Sequence, residues 1–559
     1  MTKLYSWKRA SAIVLFCAGT AITLSAQTYE TLHSFDWVNG GNPYFMSLVQ
    51  GPDGKLYGTA GGGDNGNGTV FKISTAGKFT TLYKFCMQQG CPDGSVARTS
   101  LVLATDGNLY GTTESGGLIG AGTIFRITPV GKLTTIYSFC VEPGNCSDGQ
   151  DPRAGLVQGV DGNLYGTTYS GGDYSAGTIF KITPKGALTT LHSFDGSDGR
   201  NPNAGLVQGR DGNFYGTTFY GGINGYGTVF KITPAGKLTT LHTFCIQTDC
   251  PDGGGPSARM IQASDQNFYG TTLVGGSYGG QDSGGTVFKI TPGGVLTTVY
   301  SFGGKDDDGV APYAGVVQGT DGNVYGTTYG GGTNGVGTIF QITPEGVLTT
   351  LYTFCTQLPD CPDGGGPYGG LVQATNGTFY GVTLGGGTYG VGVVFSLDMG
   401  FGPFVNLVRE SGNVAKDDGI LGQGLKDTTD VSFHGTPATF TVRSDTLLLT
   451  RVPPEATTGL VTVTTPSGTL TSNKIFRVTP QLLNFDPPSG PVGTRVTIMG
   501  VSLTQTQSVG FGDHIPAQFT VNSDTQVTAT VPGGAKTGRI GIQTKGGTAI
   551  SSRTFTVTP

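Results

Sequence analysis

Seven copies of a Tyr-Gly-Thr or Tyr-Gly-Val motif divide the chain up to about residue 400 into repeats. Successive motif tyrosines are 53, 55, 50, 54, 56 and 55 residues apart. A period of this length, filled with short strand-like segments, is typical of a β-propeller, in which each repeat forms one four-stranded blade. The copy number therefore predicts seven blades. The motif tyrosines are Tyr57, Tyr110, Tyr165, Tyr215, Tyr269, Tyr325 and Tyr380.

One repeat, residues 155–194, contains four candidate strands separated by three turn signals. An Asp-Gly pair at Asp161 joins the first two strands, and a Pro-x-Gly turn at Pro184 joins the last two, because both sequences suit tight turns. A longer loop rich in glycine and tyrosine separates the second strand from the third. The candidate strands are residues 156–158, 163–168, 178–183 and 188–194.

The outer strand of the last repeat is missing from its expected place. Segments of the Leu-Thr-Thr-Leu-Tyr-Ser-Phe type occur six times, whereas the other strands occur seven times, and a matching segment stands alone at residues 29–35. We expect residues 29–35 to pair with residues 393–397, because a closed ring hides sheet edges that promote aggregation. An open solenoid is the alternative, but it would need end caps and leaves the displaced strand unexplained.

The start of the chain indicates secretion. Lys3, Lys8 and Arg9 precede an apolar stretch that ends near Ala26, so residues 1–26 are predicted to be a signal peptide. No later stretch is apolar for long enough to predict a membrane span in the mature chain. The net charge of −5, without a basic patch, argues against nucleic-acid binding. We expect a secreted protein that is extracellular, at the cell surface or periplasmic.

Eight cysteines of the mature chain occur in four close pairs, each in a loop that leaves an outer strand. The other loops of this kind contain no cysteine, and this all-or-none occurrence favours local disulfides in an oxidising compartment. Zinc is the alternative, but it needs four converging ligands and each loop supplies two. The pairs are Cys86/Cys91, Cys140/Cys146, Cys245/Cys250 and Cys355/Cys361.

Two segments that align with each other at an offset of 79 residues follow the repeats. Phe-Thr-Val-Arg-Ser-Asp-Thr at residues 440–446 matches Phe-Thr-Val-Asn-Ser-Asp-Thr at residues 519–525. Alternating apolar and polar residues with frequent turns predict two immunoglobulin-like β-sandwiches. We therefore expect a propeller over residues 27–400 and sandwiches over residues 401–479 and 480–559.

Both parts resemble known families. The two C-terminal segments resemble IPT/TIG domains, although residues 410–419 of the first copy replace the Pro-x-x-Gly-x-x-Gly opening that the second copy carries. The repeats, with Asp-Gly-Asn-Leu-Tyr-Gly-Thr-Thr and Gly-Thr-Ile-Phe-Lys-Ile-Thr-Pro, resemble the GloVer-type tandem repeat of secreted bacterial proteins over about residues 28–400. The resemblance implies extracellular spacer or binding domains and supplies no substrate.

No set of catalytic residues stands out. The six glutamates of the mature chain do not recur at a repeat position, and many aspartates belong to Asp-Gly turns. His33, His192 and His242 share an outer-strand position with tyrosines of other repeats, so a common metal site is not expected. The glycine-rich loop at residues 275–280 opens no helix, and the acidic loop at residues 305–309 is interpreted as solvated rather than calcium-binding. We predict no catalytic residue, no metal and no cofactor.

The two rims of the predicted ring differ in character. Because strands within a blade run antiparallel, the turns between the first and second and between the third and fourth strands share one rim, the short-turn rim. The opposite long-loop rim carries the glycine-rich loops and the cysteine loops, and its aromatic residues predict a sugar or peptide site. Packing of these rings on adjacent blades is the alternative. The candidate ligand-binding residues are Tyr169, Tyr174, Phe219, Tyr220, Tyr226, Tyr278, Tyr329 and Tyr389.

These features predict a secreted, non-catalytic binding or scaffold protein whose partner is an extracellular glycan or protein. One alternative is an extracellular propeller enzyme that acts on polysaccharide through acids on the long-loop rim. A structural surface or adhesion component is another. The sequence does not set the oligomeric state.

Overall fold

The structure is a computed structural model that describes residues 27–559 except 45, 64–65, 142–143, 145, 280–283, 306 and 513–514. The predicted signal peptide, residues 1–26, lies outside the described residues. The rest is β-structure apart from one short 3-10 turn, Leu425–Asp427, within the described part, which confirms the all-β fold class. None of the described residues belongs to a helix with the length and apolar character that crossing a membrane requires.

Seven four-stranded antiparallel sheets form from the described residues between Thr28 and Asp398, and each is called a blade below. The innermost strands are Val49–Gln50, Val102–Leu103, Val157–Gln158, Val207–Gln208, Ile261–Gln262, Val317–Gln318 and Val372–Gln373. The second strands are Leu56–Ala60, Leu109–Thr113, Leu164–Thr168, Phe214–Thr218, Phe268–Thr272, Val324–Thr328 and Phe379–Val382.

The outer half of each blade contains the two longer strands. The third strands are Thr69–Ile73, Thr123–Ile127, Thr178–Ile182, Thr228–Ile232, Thr286–Ile290, Thr338–Ile342 and Val393–Asp398. The outer strands of the first six blades are Phe79–Lys84, Leu133–Ser138, Leu188–Ser193, Leu238–Thr243, Leu296–Ser301 and Leu348–Thr353. A small ribbon, Gly309–Val310 with Gly330–Gly331, lies in the loops of the sixth blade.

The N-terminal strand Thr28–Ser34 supplies the outer strand of the seventh blade. It runs antiparallel to Val393–Asp398, with Tyr29 opposite Leu397 and Ser34 opposite Val393. This pairing confirms the closure predicted from the displaced outer-strand segment. Every blade therefore has four strands, and the last blade joins the two ends of the repeat region.

The hydrophobic core of the ring lies between adjacent blades, and the Tyr-Gly motif builds it. Tyr165 of the third blade stacks on Phe214 of the fourth blade, with ring centroids 3.9 Å apart. The next residue, Gly166, faces Phe180 of its own blade, and a Cβ there would lie 2.6 Å from Phe180 Cζ. The tyrosine thus packs against the next blade, and the absent side chain of the glycine makes room for the third-strand phenylalanine.

A glutamine at the end of most innermost strands links neighbouring blades. Gln158 of the third blade accepts a hydrogen bond from the Thr105 N–H of the second blade at 3.0 Å. It also donates to the Gly162 carbonyl of its own turn at 3.1 Å. The Thr375 N–H donates in the same way to Gln50, so this belt of hydrogen bonds joins the seventh blade to the first. The belt spans every junction except the one between the first and second blades, and it satisfies polar groups that would otherwise be buried without partners.

Residues from Asn406 to Val557 form two pairs of sheets with the same strand order, as the internal repeat predicted. The first sandwich contains Asn406–Leu407, Asp417–Leu421, Leu447–Arg451 and Phe440–Ser444 in one sheet, and Ser411–Gly412, Gly468–Val478, Gly459–Thr465, Asp430–Phe433 and Thr436–Pro437 in the other. The second contains Gln481–Asp486, Arg495–Val501, Gln526–Thr530 and Gln518–Ser523 in one sheet, and Ser489–Gly490, Gly547–Val557, Gly538–Thr544, Thr506–Phe511 and Ile515–Pro516 in the other.

The first sandwich docks on the short-turn rim of the ring. Thr446 Oγ1 donates to the Pro52 carbonyl of the first blade at 2.8 Å. The Phe404 N–H donates to the Thr375 carbonyl of the seventh blade at 3.0 Å. The short-turn rim therefore includes the docking surface of the first sandwich.

The junction between the first and second blades differs from the others. Pro52 has no N–H to donate, and Leu103 stands where the other blades have glutamine. Leu103 instead shares an apolar cluster with Leu421, Val408 and Leu447 of the first sandwich. Two correlated departures from the repeat thus replace an inter-blade hydrogen bond with an apolar contact to the docked domain.

Candidate ligand-binding site

A cavity of about 450 Å³ lies on the axis of the ring. The innermost strands line it, together with the residue two positions before each of them. Six of these seven residues are glycine or serine, which leave the axis open, and the fifth blade has Arg259 instead. We call this set the axial ring, and it consists of Ser47, Ser100, Gly155, Gly205, Arg259, Gly315 and Gly370.

The first sandwich lines the end of the cavity on the short-turn rim. Glu410 and Lys474 form an ion pair there, and about half of each side chain is exposed because both face the cavity. Arg477 is buried beside them; its Nη1 donates to the Gly209 carbonyl of the fourth blade at 3.1 Å. The stretch beginning at Glu410, where the first sandwich departs from the IPT/TIG pattern, therefore supplies a charged floor.

Burial and neighbouring charges have opposing effects on the pKa values of the charged residues at this floor. Burial within the ring acts to raise the pKa of Glu410, but the positive charges of Lys474, Arg477 and Arg259 outweigh it and hold this pKa below its ordinary value. Burial lowers the pKa of Arg259 and of Arg477, an effect that the Glu410 charge partly offsets. Because arginine titrates far above neutral pH, both guanidinium groups stay charged beside an ionised Glu410.

The other end of the cavity opens at the long-loop rim. It is surrounded there by residues that lie four or five positions before the start of each innermost strand. Tyr313 and Tyr368 stack with ring centroids 4.1 Å apart, and Tyr44 lies 5.0 Å from Tyr368. The Arg98 guanidinium lies 5.1 Å from the Tyr44 ring. We call this set the mouth ring, and it consists of Tyr44, Arg98, Arg153, Asn203, Ser257, Tyr313 and Tyr368.

Two of the eight aromatic residues predicted from the sequence lie beside the mouth ring. Tyr329 contacts Tyr313 and Tyr368 edge-on, with centroid distances of 5.5 and 5.3 Å. Tyr169 lies under the Arg153 guanidinium at 3.8 Å. The structure therefore brings these two residues next to groups that line the axial cavity.

The other six predicted residues occupy long loops away from the cavity lining. Phe219 and Tyr220 contact each other edge-on at 4.6 Å, and Tyr226 packs over Gly254 of the next loop. Tyr174, Tyr278 and Tyr389 are exposed on three separate loops, and Tyr220 is exposed as well. A role of these six residues in binding stays a prediction, and packing between loops accounts for Tyr226.

Four disulfides join neighbouring cysteines within the described part of the chain, one in each cysteine-containing loop, as predicted. They are Cys86–Cys91, Cys140–Cys146, Cys245–Cys250 and Cys355–Cys361. In the second of these loops, Asp148 accepts hydrogen bonds from the Cys140 N–H at 3.0 Å and from the Tyr137 hydroxyl at 2.8 Å. The disulfide and the aspartate together fix the loop on the outer strand.

Sequence reasoning missed the mouth ring and Arg259 for different reasons. The mouth-ring residues differ from repeat to repeat, so no recurring motif marks them, and they converge only when the blades close into a ring. Arg259 was detectable, because alignment of the repeats places it at a position that is glycine or serine elsewhere. Its neighbour Glu410 was not, since the two residues belong to separate domains.

The charged and aromatic groups of the cavity lie at its two ends. Glu410 is the single carboxylate among the described residues that line the cavity. Glycoside hydrolysis commonly uses a pair of carboxyl groups that flank the scissile bond. The cavity offers arginine and lysine donors at its floor and tyrosine rings at its mouth.

Comparisons with solved structures give distant likenesses. The extracellular domain of BT3049 from B. thetaiotaomicron is 12% identical, with a TM-score of 0.42, over 92% of this chain and 65% of that one. The surface glycan-binding protein PbSGBP-B from Prevotella bryantii is 19% identical, with a TM-score of 0.22, over 28% of this chain and 39% of that one. The chain thus spans less than two thirds of either structure. No curated protein sequence matches the chain.

Comparisons with protein families are more informative. The IPT/TIG domain profile matches residues 480–558, which form the second sandwich. The profile of the Gloeobacter/Verrucomicrobia repeat matches residues 16–219, 89–277 and 209–436, and these overlapping matches span more than half of the chain. The chain therefore belongs to the family of proteins built from Gloeobacter/Verrucomicrobia repeats.

Proposed function

We propose that this protein is a secreted, non-catalytic binding protein that holds an extracellular saccharide in the mouth of its axial cavity. The observation that carries the proposal is the cavity of about 450 Å³ that extends between the tyrosines of the mouth ring and the charged floor of the first sandwich. This volume lies within the range of about 300 to 1,000 Å³ that is usual for ligand pockets.

The chemistry of the mouth ring suits a sugar. The faces of tyrosine rings pack against the apolar faces of pyranose rings, and Tyr313, Tyr368 and Tyr329 present such rings together. Asn203, which also lines the cavity, supplies a side-chain amide that can exchange hydrogen bonds with hydroxyl groups. A mixture of aromatic surface and polar groups is expected where a ligand is itself half apolar and half polar.

The disulfides support the extracellular part of the proposal. Four local disulfides persist in oxidising compartments and are rare in the reducing cytosol. Each closes its loop on the long-loop rim, which is the rim that the proposed ligand approaches. A rigid rim lowers the entropic cost of binding because fewer loop conformations are lost.

The proposal is tested by calorimetric titration of residues 27–559 with a panel of neutral and acidic oligosaccharides, alongside an assay for reducing-sugar release. We expect saturable binding without release of new reducing ends. Tyr368→Ala and Tyr329→Ala should each weaken binding at least about fivefold, as truncation of an aromatic anchor commonly does. Lys185→Ala, at an exposed turn of the short-turn rim, is the control and should bind normally.

The Tyr174→Ala variant distinguishes ligand binding at the mouth of the cavity from ligand binding at the outer loops. If Tyr174→Ala weakens binding while Tyr329→Ala does not, the ligand contacts the outer part of the long-loop rim and the mouth assignment is wrong. Release of reducing sugar that a single acidic substitution abolishes would replace the binding function with an enzymatic one. Binding of peptides but of no saccharide would overturn the ligand class.

A further inference from the structure

The axial cavity collects positive charge in a chain whose net charge is −5. Its lining contains five cationic side chains and, within the described residues, one carboxylate. The cations are Arg153, Arg259, Arg409, Lys474 and Arg477, and the carboxylate is Glu410. A concave site lined by one sign of charge concentrates ligands of the opposite sign.

Most of these cations already have partners. Arg153 pairs with Glu114 at 3.1 Å, and Arg409 lies 3.8 Å from the buried Asp418. Lys474 pairs with Glu410. Arg153 and Lys474 are therefore balanced by protein carboxylates, whereas the Arg409 guanidinium is held within the first sandwich, where it donates to the Asp417 carbonyl.

The remaining two arginines lie within 4 Å of no carboxylate in the described part of the chain, and their contacts differ. Arg477 is buried and donates to the Gly209 carbonyl, a contact that holds the first sandwich to the ring. The Arg259 guanidinium makes no hydrogen bond or ion pair with any described residue, and its side chain is exposed within the cavity although the ring surrounds it. Arg259 is thus held in the interior of the ring with its donors unused.

Resting on the binding function proposed above, we propose that the saccharide is acidic and that Arg259 binds its carboxylate. A guanidinium group offers two parallel N–H donors that match the two oxygens of a carboxylate, and this pair is stronger than a bond between neutral groups. The sugar ring that carries the carboxylate lies toward the tyrosines of the mouth ring. Glu410, on the floor beyond Arg259, repels a second carboxylate and limits how deeply the ligand enters.

The position of Arg259 allows a variant that should fold normally. Ser47 and Ser100 occupy the same place in the first and second blades, so Arg259→Ser introduces a residue that the ring already accommodates there. Arg259→Lys keeps the charge but loses the paired donors. Glu410→Gln removes the one carboxylate found among the described lining residues and leaves a side chain of the same shape.

The experiment titrates each protein with tetragalacturonate, tetraglucuronate and tetramannuronate, and with the carboxyl-reduced form of each tetrasaccharide. We expect at least one acidic probe to bind about tenfold or more tightly than its reduced form, and Arg259→Ser to abolish that difference. Arg259→Lys should restore part of it. Glu410→Gln should tighten binding of the acidic probe, whereas loss of a merely structural contact would loosen it. Lys185→Ala is again the unaffected control.

The outcomes separate the two proposals. Equal binding of acidic and reduced probes, unchanged in Arg259→Ser, would overturn the role of Arg259 and leave the saccharide function standing. Weaker binding of the acidic probe in Glu410→Gln would also contradict it. Failure of every saccharide, acidic or reduced, to bind would overturn both proposals.

Discussion

At one position of the outer strands, tyrosine in some blades and His192 or His242 in others bond to an equivalent loop aspartate, whereas His33 Nε2 in the seventh blade has no hydrogen-bond partner among the described residues. The Tyr137 hydroxyl donates to Asp148 at 2.8 Å, and in the next blade His192 Nε2 lies 2.6 Å from Asp198. A carboxylate accepts hydrogen bonds, so the histidine must carry its proton on Nε2. The interpretation of His192 and His242 as structural residues on separate blades therefore has a physical basis.

Asp418 of the first sandwich links stability to pH. Its side chain is 1% exposed, and burial raises its pKa to about 7, which the nearby Arg409 charge and two backbone hydrogen bonds only partly offset. The unfolded chain has a value of about 3.9. The folded state therefore holds the proton more tightly, so this stabilising contribution is complete below about pH 4 and is lost as the pH rises through about 7.

We predict that raising the pH from 5 to 8 lowers the stability of the first sandwich by about 2 to 3 kcal/mol through Asp418. Asp418→Asn should remove most of this pH dependence and raise the melting temperature at pH 8. Denaturant unfolding of both proteins at several pH values checks the prediction. Asp417→Asn, at the exposed neighbour, is the matched control and should keep the original slope. A slope that persists in Asp418→Asn would assign the effect to other groups.

At the scale of elements, the strand Thr28–Ser34 carries the closure of the ring. Without it, the third strand Val393–Asp398 would present an unpaired edge to solvent. Exposed edges of this kind pair with other chains. We predict that deletion of residues 27–38 lowers the melting temperature and promotes aggregation, as measured by thermal unfolding and light scattering.

Glu30→Ala, a change at an exposed position of the same strand, is the control for this deletion and should behave like the unaltered chain. An unchanged melting temperature together with an unchanged elution volume after the deletion would contradict the closure. The deletion ends before the residues of the mouth ring. Loss of saccharide binding in a deletion protein that stays folded would therefore point to altered ring geometry, not to lost contacts.

Much of the element scale could be predicted from the sequence. The missing outer strand was visible because the last repeat stops after its third strand while the same motif stands alone at the N-terminus. The disulfides were visible because cysteines occur in pairs or not at all. The packing of Phe180 against Gly166 could not be predicted. The motif shows that the glycine recurs, but it does not show which aromatic ring occupies the space beside it. The repeat pattern thus predicts which strands and cysteines pair, whereas the contacts between side chains become known only from the structure.

At the scale of the whole molecule, the first sandwich is held to the ring by contacts between residues that are far apart in the sequence, and no sequence motif predicts them. Arg477 and Gly209, for example, are 268 residues apart in the chain. The composition of the cavity floor depends on this docking, so the proposed site could not have been assembled from the repeats alone. The sequence indicated the eight aromatic residues of the long-loop rim. It did not indicate the mouth ring or the cavity floor, which form only when the blades close and the first sandwich docks.

We predict that Arg477→Met loosens the docked sandwich while leaving both domains folded. The loss of a buried, charged hydrogen bond should speed proteolytic cleavage of the connecting residues 399–405 by about tenfold or more. Limited proteolysis with separate calorimetric transitions for ring and sandwich measures this effect. Arg443→Met, at an exposed position of the same sandwich, is the control. Equal cleavage rates in the two variants would show that docking does not depend on Arg477.

The junction at Pro52 and Leu103 has a consequence for where the first sandwich packs on the ring. A ring of near-identical repeats offers nearly equivalent surfaces around its rim, and residues 399–405 join the first sandwich to the ring after the seventh blade. Pro52 and Leu103 make one junction apolar where the others carry a glutamine hydrogen bond, and the apolar residues of the sandwich pack on that junction. This docking places Glu410 in the same cavity as Arg259, the irregular member of the axial ring. Departures from the repeat on blades one and two and on blade five thus both face the docked sandwich.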